Sequence, residues 1–438
     1  MSISTEIIDN YFSIKSTNLD EATINASKNL VIDCIGNICA SLRVNPNIEL
    51  NKDFENSIET LDLLPFYLGM LIHRLDFDDT HYGALIHTGC ITVPSAIYAS
   101  MKKKIDGSEF LTSIALGVDF AVKLGSVEKH LFHRRGFHAT SLIGTYSSAF
   151  IYSYLTKMSN IDSKNSLGIA GSFSSGNLSF LSTGDNTKII HPGWASYAGC
   201  KAGEIIKYSI SGSEKIFEDK NGFFNLYAGI ENIENKIDTK FTKSEILNVN
   251  FKPFPVCQLN IATLRLVKTL SEKIDKSKIK EVIVYLPEDS YDIVAKDKNI
   301  KAKPRTDYEA KFSIYWTLAC LILEEKLTVD SFATSQLQKK NILDLAQKIE
   351  IIKISTKSEA AKVKGKIEVV FLDGKKIEFE ETVANDSISN NSRILDKFYE
   401  NTQLSPKSKI VSNLLDIEDS KDVGKMIKEI FYEFIKKY

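Results

Sequence analysis

The stretch Gly365-Lys-Ile-Glu-Val-Val-Phe-Leu-Asp-Gly-Lys-Lys-Ile-Glu-Phe-Glu-Glu-Thr382 separates this chain from an all-helical protein. Ile367, Val369 and Phe371 alternate along one arm, the period-two pattern of a strand with one buried face. Asp373-Gly374 supplies a tight turn, so the stretch predicts a β-hairpin. Working outward, Ile349-Glu-Ile-Ile-Lys-Ile-Ser355 and Lys280-Glu-Val-Ile-Val-Tyr-Leu286, the latter stopping at Pro287, predict two more strands. Helical patterns run over Ala262 to Ile274, Tyr308 to Glu325 and Lys339 to Lys348. Helices and strands mixed in this way predict a smaller α+β domain, closed by the polar stretch Asn385 to Ser392.

Upstream of about residue 245 the texture is helical instead. Ala26 to Leu42 sets Leu30, Val31, Cys34, Ile35 and Ile38 on one stripe. Phe110 to Leu124, Thr140 to Leu155 and Ser166 to Ser182 are rich in Ala, Ser and Gly. Small residues at that density let helices approach closely inside a large helical core. The tail from Arg393 to Tyr438 is helical again and is suited to packing back onto this first domain.

Composition excludes several roles. The 438 residues are 43% hydrophobic and 25% charged, ordinary values for a globular chain. A net charge of −1 offers no footprint for nucleic acid or an anionic membrane, and neither is an expected partner. The six cysteines are scattered without a Cys-x-x-Cys pair, which reads as a reduced chain rather than a disulfide scaffold or a zinc site. The start carries acids early and no basic n-region, so no signal peptide is expected. Phe312 to Leu323, the longest apolar stretch, is too short to span a bilayer. A cytoplasmic location is expected.

All seven histidines fall between His73 and His191, two of them inside Leu75-Asp-Phe-Asp-Asp-Thr-His-Tyr-Gly-Ala-Leu-Ile-His-Thr-Gly89. Imidazole titrates near neutrality, so this crowding points to acid–base chemistry. Arg134-Arg135-Gly136-Phe137-His138-Ala139-Thr140 adds guanidiniums and an imidazole just before a small-residue helix. Thr187-Lys188-Ile-Ile-His191-Pro192-Gly193-Trp194 brings Lys, His and a Pro-Gly turn ahead of a helix over Ala195 to Ile206. Phe251-Lys252-Pro253-Phe254-Pro255-Val256-Cys257 is a rigid run at the domain junction. Cations for carboxylates beside proton carriers suit a small polycarboxylate substrate.

Taken singly, these residues have plainer roles. His73, His130 and His133 read as structural or solvent-facing, Cys257 as a buried apolar residue, and Asp76 or Asp78 as a helix cap. His81 and His87 are six apart, not the four-residue spacing of a helical zinc site, and no cysteines group for an iron–sulfur cluster. No metal and no cofactor are expected.

The order of these segments resembles the MmgE/PrpD family, which includes 2-methylcitrate dehydratase, cis-aconitate decarboxylase and iminodisuccinate epimerase. The resemblance rests on Asp76-Phe-Asp-Asp-Thr-His81 with His87-Thr-Gly89, Gly136-Phe-His138-Ala-Thr140, Lys188 with His191-Pro-Gly-Trp194, Gly222-Phe-Phe224, Lys252-Pro-Phe-Pro-Val-Cys257 and Ala310-Lys-Phe-Ser313. It is collinear over residues 20 to 330, roughly. It implies an α+β fold: a large all-α domain of residues 1–248 plus 393–438, with a smaller α+β lid of residues 249–392 inserted. It also implies a metal-free homodimer with the site in the cleft between domains. The site would draw on Asp76 or Asp79, His87, His138, Lys188 and Lys252, with Arg135, Thr140, His191, Tyr315 and Trp316 toward the substrate.

Two departures bear on the substrate. Relatives commonly carry Pro-Tyr after the Phe-Ser pair, where this chain has Tyr315-Trp316. Many also have a histidine where this chain has Ile261. The leading expectation is a hydro-lyase of the 2-methylcitrate dehydratase type, acting on a small hydroxylated di- or tricarboxylate. Decarboxylation of cis-aconitate, epimerisation next to a carboxylate, carboxylate binding without turnover, and a metal-dependent hydrolase are the alternatives.

Overall fold

Small residues set the packing of the N-terminal half. The helix Ala139–Leu155 lies along the helix Ile190–Glu204, and a Cβ on Gly199 would come within 2.3 Å of the Thr145 carbonyl oxygen. No larger residue fits that contact, so the two backbones meet directly. The helix Glu21–Arg43, capped by Asp20 accepting from the Thr23 N–H, buries Leu30, Cys34, Ile35 and Ile38 as its stripe requires. The tail returns to this half. Asn391–Thr402 packs on Glu21–Arg43, and Val423–Lys437 packs on Gly89–Lys102.

The computed structural model describes residues 1–44, 47–128, 130–183, 185–270, 274–355, 365–380 and 386–438. One hydrophobic core gathers side chains from Ile3 to Phe251 together with Ile388 to Phe434. A second gathers side chains from Phe254 to Phe371, and the names helical domain and lid stand for the segments around the first and the second core. The fold is α+β and dominated by helix, 62% against 8% strand. Among the described residues, no helix is long and apolar enough to cross a membrane.

The lid sheet has four strands in the order Ile349–Ile354, Ile279–Pro287, Lys366–Phe371, Lys376–Glu380. The first pair is parallel, with Val284 opposite Ile351, and the other two pairs are antiparallel. Ile367, Val369 and Phe371 are buried, and Gly374 takes the left-handed conformation (φ 85°) that the hairpin turn needs. The ends of two predicted elements, residues 271–273 and Glu381 with Thr382, lie outside the described residues, as does Asn385.

Two short crossings tie the lid to the helical domain. Val249 pairs with His81 and Asn250 with Thr80, while the returning chain lies alongside: Phe251 N–H donates to Asp386 O, and Ile388 N–H to Val249 O. This clamp fastens the acidic loop of residues 76–87 to the segment that carries Lys252.

Two predicted elements differ in detail. The helix expected over Tyr308 to Glu325 is broken into Asp307–Lys311 and Ile314–Glu324, because the Ser313 hydroxyl accepts from Trp316 N–H (3.0 Å) and starts a new helix. His191-Pro192-Gly193 lies inside the first turns of its helix rather than in a turn before it. A proline is tolerated there, where its missing N–H has no helical acceptor.

Candidate active site

The loop after the helix Leu64–His73 places three aspartates on three different tasks. Asp76 adopts a left-handed backbone (φ 52°), which an aspartate tolerates better than most residues. Its Oδ1 accepts from Lys188 Nζ at 2.9 Å and from Lys252 Nζ at 3.0 Å, and Lys252 also donates to the Asp76 carbonyl at 3.0 Å. All three groups are buried from solvent or nearly so, and Asp76 Oδ2 has no hydrogen-bond partner. Burial alone would raise the Asp76 pKa. The ammoniums of Lys188 and Lys252 outweigh it and hold the carboxyl well below the usual range. Burial likewise works against the Lys188 ammonium, but Asp76 raises its pKa above the ordinary lysine value.

Asp78 turns inward to His73, accepting at 2.7 Å, and lies 3.6 Å from His87 Nδ1. Asp79 faces the other way. It accepts from Thr88 N–H, the Thr88 hydroxyl and Gly89 N–H at 2.8, 2.6 and 2.8 Å, capping the helix Gly89–Lys102. Burial, with Asp78 beside it, pushes its pKa up to about 7 despite those bonds. Of the two candidate aspartates, Asp76 therefore faces the cleft and Asp79 holds a helix end.

The imidazoles converge from separate elements. His87 Nδ1 lies 2.8 Å from the Asp79 carbonyl, which can only accept, so Nδ1 carries the proton and Nε2 keeps its lone pair. Thr140 accepts the His87 backbone N–H at 3.1 Å and so positions this residue from behind. His138 and His191 bring their Nδ1 atoms to 3.0 Å, a contact that requires one proton between the two nitrogens. The rings of His73 and His87 are 4.6 Å apart edge to face, and those of His73 and His138 6.0 Å apart stacked. Burial lowers the pKa of His87 and His138 well below the usual value, and Lys188 lowers both further. Burial takes His133 and His191 down to about 4. These imidazoles are neutral near pH 7, and so able to accept protons.

A cavity of about 190 Å³ opens on this cluster between the two cores. Asp76, His87, His138, Lys188 and Lys252 line it, along with Thr80 and Gln258. Leu178 and Phe180 from the helical domain, and Leu259, Ile293 and Phe312 from the lid, form apolar walls. His130, His133 and Cys257, assigned plainer roles above, also reach this wall. No spacing rule could have found the two histidines, since they enter through an isolated one-turn helix, Leu131–Arg134.

Four expected substrate contacts lie elsewhere. Arg135 is exposed and points to the Leu226 carbonyl at 3.5 Å. His191 sits behind His138 instead of lining the cavity. Tyr315 donates to Ala295 O at 3.0 Å inside the lid core, and Trp316 is buried against Phe332. The helix restart at Ser313 turns both aromatics away from the cleft. The tyrosine that comes near the ion triad is Tyr308, buried with its hydroxyl unpartnered, in electrostatic reach of Lys188 and Asp76. For a metal, His73, His87 and His138 offer ring nitrogens within 4.8 Å of one another; His73 Nδ1 is bonded to Asp78 and its Nε2 has no partner, while two ammoniums close by work against a cation.

Comparison with known proteins agrees with the collinear motifs. The MmgE/PrpD N-terminal domain model matches residues 65–236, and the C-terminal domain model matches residues 254–420. The chain belongs to the MmgE/PrpD family. Among its relatives is the cis-aconitate decarboxylase of Homo sapiens, 24% identical over 366 residues, which cover 77% of this chain and 74% of that protein. The cis-aconitate decarboxylase of Mus musculus is 24% identical over 296 residues, covering 65% and 59% respectively. The junction between the two MmgE/PrpD matches coincides with the crossing that delivers Lys252 to Asp76.

Proposed function

We propose that the protein is a lyase acting on a small polycarboxylate, and that the cleft between the helical domain and the lid is its active site. The observation that carries this reading is the buried Lys188–Asp76–Lys252 triad facing His87 and His138. Lys188 and Lys252 against Asp76 and Asp78 leave no net charge, so each bound carboxylate tips the cleft negative. That favours imidazolium over imidazole, and a histidine becomes an acid as the substrate arrives. Binding is therefore coupled to proton uptake.

Loss of carbon dioxide from an unsaturated tricarboxylate of the cis-aconitate kind is the best-supported reaction. The bond from the substrate carbon to one carboxylate breaks and carbon dioxide leaves. The electron pair passes to the carbon framework next to a carboxylate held by Lys188 or Lys252, and an imidazolium protonates that carbon. The step needs one proton donor and a dry wall for the departing group, which suits Leu259, Ile293 and Phe312. The names of the two mammalian relatives support the same choice.

Loss of water from a hydroxylated di- or tricarboxylate, of the 2-methylcitrate dehydratase type, is the second reading. It needs a base and an acid together, and the His138–His191 pair at 3.0 Å supports it by sharing a proton between two imidazoles. Incubation with cis-aconitate, citrate, methylcitrate and iminodisuccinate, followed by NMR in deuterated water, separates these readings. A decarboxylated product carrying one solvent deuterium is expected from cis-aconitate. Stabilisation by these compounds with no turnover of any of them sinks the lyase reading and leaves a carboxylate-binding protein.

A further inference from the structure

A second cavity, of about 610 Å³, lies across the seam between the two domains, separate from the active-site cleft. Arg43 and Arg74 reach it from the helical domain, and Arg305 and Lys311 from the lid. These four cations meet only two lining carboxylates, Asp307 and Asp330, which leaves two positive charges. Counting Glu309, which pairs with Arg305 at 2.7 Å, still leaves one.

The cations are not equally engaged. Arg43 forms a two-pronged bond to Asp330, at 2.7 and 3.1 Å, that already pins lid to helical domain. Lys311 lies 3.6 Å from Asp307 and is otherwise buried. Arg74 is half-buried and makes no side-chain hydrogen bond or close ion pair with any described residue; Asp307, which it shares with Lys311, is its electrostatic partner. A guanidinium held partly out of water with five unused donors is costly unless an anion completes it. Leu75 and Val329 pack together beneath the cavity, so its floor is fixed.

We infer that this cavity is a second, non-catalytic site for a small anion of one to two charges, a dicarboxylate or a phosphate monoester, held between Arg74 and Arg305. Its occupant bridges the two domains beside the segment that walls the cleft. The Lys311 carbonyl accepts from Cys257 N–H at 3.0 Å and from Asn260 Nδ2 at 3.1 Å, and the next residue, Phe312, lines the cleft. An occupant of the seam thus lies one residue along the chain from the cleft wall. The binding claim stands whatever reaction the cleft performs.

Isothermal titration of the full chain with inorganic phosphate and, separately, with succinate tests it. At least one probe binds, and that binding survives Lys188→Met, which disables the catalytic cleft. It weakens about tenfold or more in Arg74→Gln and again in Arg305→Gln, as loss of a charged hydrogen bond requires. Which probe binds identifies the source of the anion. No binding by either probe, binding lost in Lys188→Met, or binding indifferent to both arginine changes overturns the inference. Arg305 is largely exposed, so its variant keeps the test valid should Arg74→Gln fail to fold.

Discussion

The two sides of the cleft divide the labour unequally. The helical side supplies Asp76, His87, His138 and Lys188, all charged or proton-carrying, beside the apolar Leu178 and Phe180. The lid side supplies Leu259, Ile293 and Phe312, with Lys252 arriving on the crossing between the domains. The lesson is that proton chemistry is assembled on one body, while the other excludes water and strengthens every charge interaction there.

The sharpest way to break this contrast is Asp76→Ala. It strands two buried ammoniums and is expected to destabilise the protein by about 3–5 kcal/mol, read from chemical denaturation, and to abolish turnover. His138→Ala tests the helical side alone. Turnover should fall by about 10²–10⁴-fold in the folded variant, and an unchanged rate removes His138 from the chemistry.

A pH series sharpens the electrostatic half. His73, His87, His133, His138 and His191 all have pKa values lowered in the folded state, so the unfolded chain binds more protons below about pH 6.5. Their contribution is complete above that pH and is lost as pH falls toward 4. Asp79, raised to about 7, opposes this because its folded form holds a proton that the unfolded form releases, and Asp33, Asp119, Glu218 and Glu400, also raised by burial, act in the same sense. Between pH 7 and 4.5 the thermal midpoint of His87→Ala should therefore fall less, or rise more, than that of the unaltered protein, because one group that favours unfolding at low pH is gone. The smallest effect belongs to the lid interior. Tyr315→Phe leaves the Ala295 carbonyl short of one donor and should cost about 0.5–1.5 kcal/mol with turnover unchanged. A large loss of turnover would return Tyr315 to the site.

Much of this was legible in local pattern. Period-two alternation located the strands around Val284 and Val369, and small-residue density located the close-packed helices. Collinear motifs named Asp76, His87, His138, Lys188 and Lys252, which line one cavity. What local pattern could not carry was direction. Asp76 and Asp79 are three residues apart and identical in type, yet one holds two lysines and the other a helix end. Tyr315 and Trp316 were expected in the cleft, but a serine hydroxyl restarts the helix and rotates both into the lid core. His130 and His133 had no spacing signal, and only the approach of the lid gives them a cavity to line.

The sequence by itself determined the fold class, the family and the inventory of proton carriers and cations, because these follow from periodicity and residue type along short stretches. The tertiary structure alone decided which of these groups share one buried space. Lys252 lies 176 positions from Asp76, and only the two-strand crossing at Val249 and Asn250 brings them to 3.0 Å. Charge coupling depends on distance and burial, and neither is written in the order of residues.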